Sequence, residues 1–239
     1  MKETMLDKCI KANLKMVENE IAIACTMGVL LCLMQFWAII LGLIPIVIAA
    51  VFLWKMFRKL FYTSVFGETA ATYQSMPVST AEMVAAKIFV AGLGLIALNV
   101  SIVVIMAVIS TNLGYSNLLG MLDGLGLGIN SLNAGYILAL EFIAVVIECF
   151  WQAALIFLAV VIFNTLPEHS RKGFGGGVLV PVAAVGINYL FMNISSALEF
   201  IGLPYGILYP LAGITIGAVT LVIIFRLTVK LLEERYELN

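Results

Sequence analysis

Long apolar runs alternate with short polar interruptions along this chain, and the spacing of the interruptions sets its organisation. Over residues 5–17, Leu6, Cys9, Ile10, Met16 and Val17 fall on one side of a helix, with Lys8, Lys11, Lys15 and Glu18 along the other. That predicts an amphipathic amino-terminal helix within residues 1–20, lying in the headgroup layer. No charge appears from 21 to 54, which is too long for one ordinary span and suits two, over 21–41 and 43–61. The turn between them is placed at Gly42 to Pro45. A single long tilted helix would instead separate the amino-terminal lysines from Lys55, Arg58 and Lys59 across the membrane, which the charge rule disfavours. Further apolar runs predict spans over 83–110, 135–164, 178–198 and 205–227. The glycine-rich stretch 111–133, with Asp123 and no base, reads as an outer loop.

Composition changes the picture from helical to membrane-embedded. Of 239 residues, 63% are hydrophobic and 11% charged, against about 25% charged in soluble domains. An all-α polytopic protein with one membrane domain is the result. Placing the amino terminus, the stretch after the second span, the turn after the fourth and the carboxyl end in the cytoplasm puts all thirteen Lys and Arg on that face or beside it. Both termini are then cytoplasmic. The net charge of −1 gives no reason to expect nucleic acid, and no polar stretch is long enough for its own core. Nucleotide-driven chemistry would have to come from another chain. No cleavable signal peptide is visible. Cys9, Cys25, Cys32 and Cys149 form no paired metal spacing and read as free thiols.

The longest polar interruption on the charged side is residues 66–87. Pro77 cannot continue a helix and biases Met76 towards an extended conformation. Ser79 stands three residues before Glu82 as a capping box that starts the next helix. The piece 68–75 is about two turns long, has Glu68 as its one charge and presents Tyr73 among small residues. Alone in water it is too short to be stable, so it needs a surface to dock against. An ordinary inter-span loop with a capped helix start is the plainer reading.

Elsewhere, Glu141, Glu148 and Gln152 recur at intervals of seven and four and share a narrow stripe of the fourth span. Acids in an apolar span are costly unless they face water or a partner. They line a polar path at an interface, or they hydrogen bond to neighbours such as Asn99 and Asn188. Cys25, Gly28, Cys32 and Gln35 share a face suited to close helix packing. Gly173, Gly175, Gly176 and Gly177 lack the Gly-Lys-Ser or Gly-Lys-Thr ending of a phosphate loop and make a flexible approach to the fifth span. His169 is the only histidine, which excludes a histidine-rich metal site or a serine–histidine pair in the membrane. It reads as an exposed loop residue.

The run Phe66-Gly67-Glu68, then Met76-Pro77-Val78-Ser79 and finally Lys87, resembles the signature segment of type-2 ABC exporter permeases of Gram-positive bacteria. Two positions depart from that pattern: Met76 replaces a usual leucine, and Thr80 stands where a basic residue is common. The six spans, the amphipathic helix and the missing nucleotide site fit the same family. The resemblance implies that 66–82 is a cytoplasmic coupling segment, with Glu68, Thr72, Tyr73, Met76, Pro77, Val78 and Ser79 seated in a groove of a separate ATPase subunit. It implies that the amino-terminal helix is an elbow helix and that the location is the bacterial plasma membrane. ATP and Mg would be held by the partner ATPase and no cofactor by this chain. A second permease subunit, identical or a sister chain, would complete the transport path.

The expected function is therefore that of a permease subunit, itself no enzyme, exporting an amphipathic or hydrophobic substrate such as a peptide antimicrobial, a lipid or a drug. The alternative is a proton-coupled secondary transporter using Glu141 and Glu148. An intramembrane enzyme would want histidines or an aspartate-rich motif that the chain lacks. A vitamin-binding subunit beside an ATPase would bind tightly and have no coupling helix.

Overall fold

The computed structural model describes residues 4–34, 39–67, 70, 78–112, 134–165 and 208–237. Among these there is no strand. The helices are α1 (Met5–Met34), α2 (Ile39–Phe57), α3 (Thr80–Asn112), α4 (Ala134–Thr165) and α5 (Leu208–Glu237). A π-helical turn, Arg58–Thr63, and a short helical turn, Ser64–Phe66, extend α2 without a break. Stretches within α3, α4 and α5, namely Thr80–Val104, Phe142–Thr165 and Ile214–Glu234, are long and apolar enough to cross a membrane. The chain is thus a helical, membrane-associated protein.

Two boundaries differ from the pattern read along the chain. No amphipathic helix stops before a first span, because α1 runs unbroken from Met5 to Met34. Its sidedness is as expected, with Cys9 and Val17 buried and Lys8, Lys11, Lys15 and Glu18 exposed. No glycine or proline interrupts 5–27, so the backbone has no reason to stop where hydropathy changes. The buried stripe continues through Asn13, Glu20, Ala24 and Gly28, and α1 packs on α2 and α3. The second correction concerns the turn at Gly42 to Pro45. Both residues lie inside α2, since an apolar helix tolerates glycine and proline that would punctuate a soluble chain. Residues 35–38, between α1 and α2, lie outside the described residues.

Two other expected spans fall on described helix: 83–110 lies within Thr80–Asn112, and 135–164 within Ala134–Thr165. The last helix begins at Leu208 and continues past 227 to Glu237. The expected span 178–198, most of the loop 111–133, His169 and the glycines at 173–177 lie outside the described residues.

Caps start two of these helices. The Ser79 hydroxyl and N–H donate to Glu82 Oε2 at 2.8 and 3.0 Å, and Glu82 N–H returns a bond to Ser79 Oγ at 3.3 Å. This is the capping box expected from the sequence. A second one, at Thr4 and Asp7, has the legible pattern Thr-x-x-Asp but was not expected. Thr4 N–H donates to Asp7 Oδ2 at 3.0 Å, and Asp7 N–H to Thr4 Oγ1 at 3.2 Å.

The core lies where α2, its π turn, α3 and α4 meet. Phe61 stacks on Phe57 and on Phe157, with ring centroids 5.7 and 4.6 Å apart. Val84, Ile88, Ala91, Trp151, Ala154 and Val161 fill the space around them. Helix α5 packs mainly on α4, and its apolar stretch is the least covered of the three. Val219, Val222, Ile223 and Leu227 stay exposed, as befits surface solvated by lipid. Gly92 lets α3 approach α4, because a Cβ there would overlap the Phe150 ring.

Two outcomes are expected. Gly92→Ala should destabilise the protein by about 1–3 kcal/mol through overpacking. Adding Phe150→Leu should recover most of that loss in a denaturation series in mixed micelles. Asp7 tests the amino-terminal cap. Hydrogen bonds from the Thr4 side chain, then its backbone N–H, hold the Asp7 carboxyl below the ordinary carboxylate range. A depressed folded-state pKa means the cap contributes fully above the unfolded value and fades as pH falls through the lower one. The protection of the Lys8 amide, which bonds Thr4 O, taken relative to its intrinsic exchange rate at each pH, should fall below about pH 4. In Thr4→Ala, which keeps the backbone N–H but loses the side-chain bond, the same transition should be smaller.

Candidate functional site

The polar stretch after α2 emerges from an unusual helix end. In the π turn the Ser64 N–H bonds Lys59 O, five residues back. That frees Leu60 O from the partner an α-helix would give it. Leu60 O instead accepts from the Ser64 hydroxyl at 2.5 Å and from Lys87 Nζ at 3.0 Å. Gly67 closes the end in extended conformation. A Cβ there would sit 2.9 Å from both Thr63 Cα and Thr63 O, and backbone cannot yield as a side-chain tip can. The close approach therefore requires glycine.

Lys87 enters this corner from α3, two turns after the Ser79 cap. It is fully buried, at 0% exposure. Its ammonium donates to Leu60 O, to Ser64 Oγ and, at 3.5 Å, to Asn13 Oδ1 of α1. These three oxygens are uncharged and come from two other helices. Asn13, also fully buried, turns its amide N–H towards Cys9 Sγ at 3.5 Å. Burial pushes the Cys9 thiol pKa up, so the thiol stays neutral beside the ammonium. An ammonium removed from water is tolerated only when its donors are met. Here that demand holds α1, α2 and α3 together at the base of the polar stretch.

A second charged contact lies one turn along. Lys59 Nζ meets Glu20 Oε1 of α1 at 2.5 Å, and Glu20 Oε2 is buried without a hydrogen-bond partner. Lys59 keeps 45% of its side chain exposed, against 10% for Glu20. The two ends of this pair are therefore unequal in their access to water.

Sequence-predicted site residues divide between these places. Val78 and Ser79 are described and lead into α3. Glu68, Thr72, Tyr73, Met76 and Pro77 lie outside the described residues, as does Asn188. In α4, Gln152 Nε2 donates to Glu148 Oε1 at 2.9 Å along one helix face, and Glu148 is exposed. Glu141 is on the same helix. Asn99 does not reach Glu148. It donates to Leu95 O at 3.0 Å and to Cys149 Sγ at 3.5 Å, joining α3 to α4. Cys9, Cys25 and Cys149 are free thiols, and no group of three metal-ligating side chains occurs among the described residues.

The residues that sequence reasoning missed are Asn13, Glu20, Lys59 and Ser64. Asn13 and Glu20 carried a signal: both stand in the stripe Cys9, Val17, Ala24, where a polar residue implies a buried partner. Ser64 and Lys59 carried none, because their partners are remote in sequence. No family model, curated protein or solved structure matches the chain.

The Lys59–Glu20 pair should respond asymmetrically to truncation. Lys59→Ala strands a buried carboxylate and is expected to cost about 3 kcal/mol. Glu20→Ala leaves a lysine that reaches water and should cost under about 1 kcal/mol. Paired unfolding titrations in the same detergent check the ranking, and equal losses would contradict it.

Proposed function

We propose that this chain is the permease subunit of an ATP-driven exporter of the bacterial plasma membrane, working by alternating access. In this reading it has six spans with both termini cytoplasmic. In the same reading the amino-terminal half of α1 serves as the elbow helix. Residues 66–82 form the coupling segment, and Glu68, Thr72, Tyr73, Met76, Pro77, Val78 and Ser79 contact a separate ATPase that holds ATP and Mg. A second permease subunit, identical or a sister chain, faces it across the path.

The observation that carries the reading is the clasp at the base of that segment. A force applied to residues 68–77 meets α2 on one side and α3 on the other. Lys87, Ser64, Leu60 O and Asn13 tie those two helices to each other and to α1. A docked partner would therefore move three helices as one body, as coupling to a distant path requires. The few charges along the spans favour an amphipathic or hydrophobic cargo: a peptide antimicrobial, a lipid or a drug.

A second reading draws on Glu148. An exposed carboxyl paired with Gln152 on an apolar helix is the kind of group that carries protons in secondary transporters, with Glu141 as its companion. Vesicles containing this chain alone distinguish the two, since proton-driven uptake without an ATPase supports the carrier and counts against the permease.

For the permease reading, Tyr73→Ala and Pro77→Ala should each weaken association with the ATPase about tenfold, the loss typical of an interface anchor. Co-purification with the ATPase and cargo-stimulated ATP hydrolysis measure this. Undiminished binding together with unchanged stimulation would overturn it.

A further inference from the structure

The end of α2 has two backbone registers within reach, and Lys87 sits on the acceptor that separates them. In an α register Ser64 N–H would bond Leu60 O, four residues back. It bonds Lys59 O instead, and Leu60 O is occupied by Ser64 Oγ and Lys87 Nζ. At the far end of the turn, Gly67 N–H lies 3.1 Å from Tyr62 O, the π partner, and 3.2 Å from Thr63 O, the α partner. One end of the turn is thus shared between registers, while the other is held in the π register by side chains.

We propose that Lys87 is a positioning residue that latches this turn in the π register, and that withdrawing its ammonium lets the turn anneal to α-helix. Annealing takes out about one residue of rotation, roughly 100° at 3.6 residues per turn. Residues 64–67 then swing about the helix axis, and the polar stretch beyond them is re-aimed. Backbone N–H groups keep partners in both registers, so the change exposes no unsatisfied amide near the membrane. Packed elements of this kind have discrete arrangements rather than a continuum, and π turns recur at functional sites. Asn13 links the latch to α1, so a shift of α1 against α2 reaches the ammonium directly. The inference rests on the permease reading only for what drives the turn; the latch itself needs no ATPase.

The test uses the full chain in lipid nanodiscs with Val65→Cys as a probe. Val65 is 3% exposed and lies just beyond the turn, whereas Tyr62 on the outer side is 42% exposed. Maleimide labelling is read by mass spectrometry of the peptide carrying position 65, alone and combined with Lys87→Met or Ser64→Ala. Position 65 should be protected with the latch intact and label at least tenfold faster with Lys87→Met, with a smaller gain for Ser64→Ala. Cys149 on α4, 3% exposed, should stay protected throughout. Protection at 65 in both variants would overturn the proposal. So would Cys149 opening together with position 65 in both, because Lys87 would then support the whole fold rather than one register. Neither failure touches the ATPase-association measurement, which stands or falls separately.

Discussion

A lysine ammonium with no exposure to water has to be surrounded by oxygen, and among the described residues two other helices bring oxygens to Lys87. Leu60 O and Ser64 Oγ come from the end of α2, and Asn13 Oδ1 comes from α1. Leaving such a group unmet costs several kcal/mol, so the three helices are not free to drift apart at this end. Most of the local geometry is a consequence of that demand. The π turn presents a carbonyl that an α-helix would have used, and Asn13 is buried in a stripe that is, apart from Glu20, made of small and apolar side chains. Gly67 closes the helix where no Cβ fits.

Away from this corner the described helices also meet through close apolar packing. Aromatic stacking joins the π turn to α4 through Phe61 and Phe157, and α3 to α4 through Phe89 and Phe150, 6.0 Å between ring centroids. Glycines admit the close approaches. Gly28 faces Leu98 and Ile102, Gly94 faces Met56 and Ile21, and Gly217 faces Ile147. Where lipid is as apolar as a side chain, burial alone does not drive helices together, and shape fit of this sort takes its place. The polar clasp and the apolar packing therefore have different consequences. The first fixes which ends meet, and the second fixes how closely the helices lie.

The proposed coupling role draws on both. A polar stretch whose ends emerge from clasped helices can receive a push without dissipating it in a loose joint. The side chains expected to meet a partner, Tyr73 and Pro77 among them, stand between Gly67 and Ser79, and both of those positions are locally determined. Gly67 is set by steric contact with Thr63, and Ser79 by reciprocal hydrogen bonds with Glu82. Glu148 is a different kind of feature. Its bond to Gln152 joins residues four apart on the same helix and satisfies a carboxyl oxygen.

Helix class, membrane character and the start of α3 were written in the chain itself, because hydropathy and capping act over a few residues and need no tertiary partner. The helical character of 83–110 and 135–164 was legible for the same reason. Local rules misplaced the turn at Gly42 and Pro45 and divided α1 in two, since they describe chains in water, where backbone released from a helix finds solvent. The surroundings of Lys87 could not be read locally. They include Ser64, Leu60 and Asn13, which are 23, 27 and 74 residues away, and only folding brings them within hydrogen-bonding distance. Periodicity can mark Asn13 and Glu20 as polar intrusions on a buried stripe, but the identity of the groups that answer them is decided by which helices pack side by side.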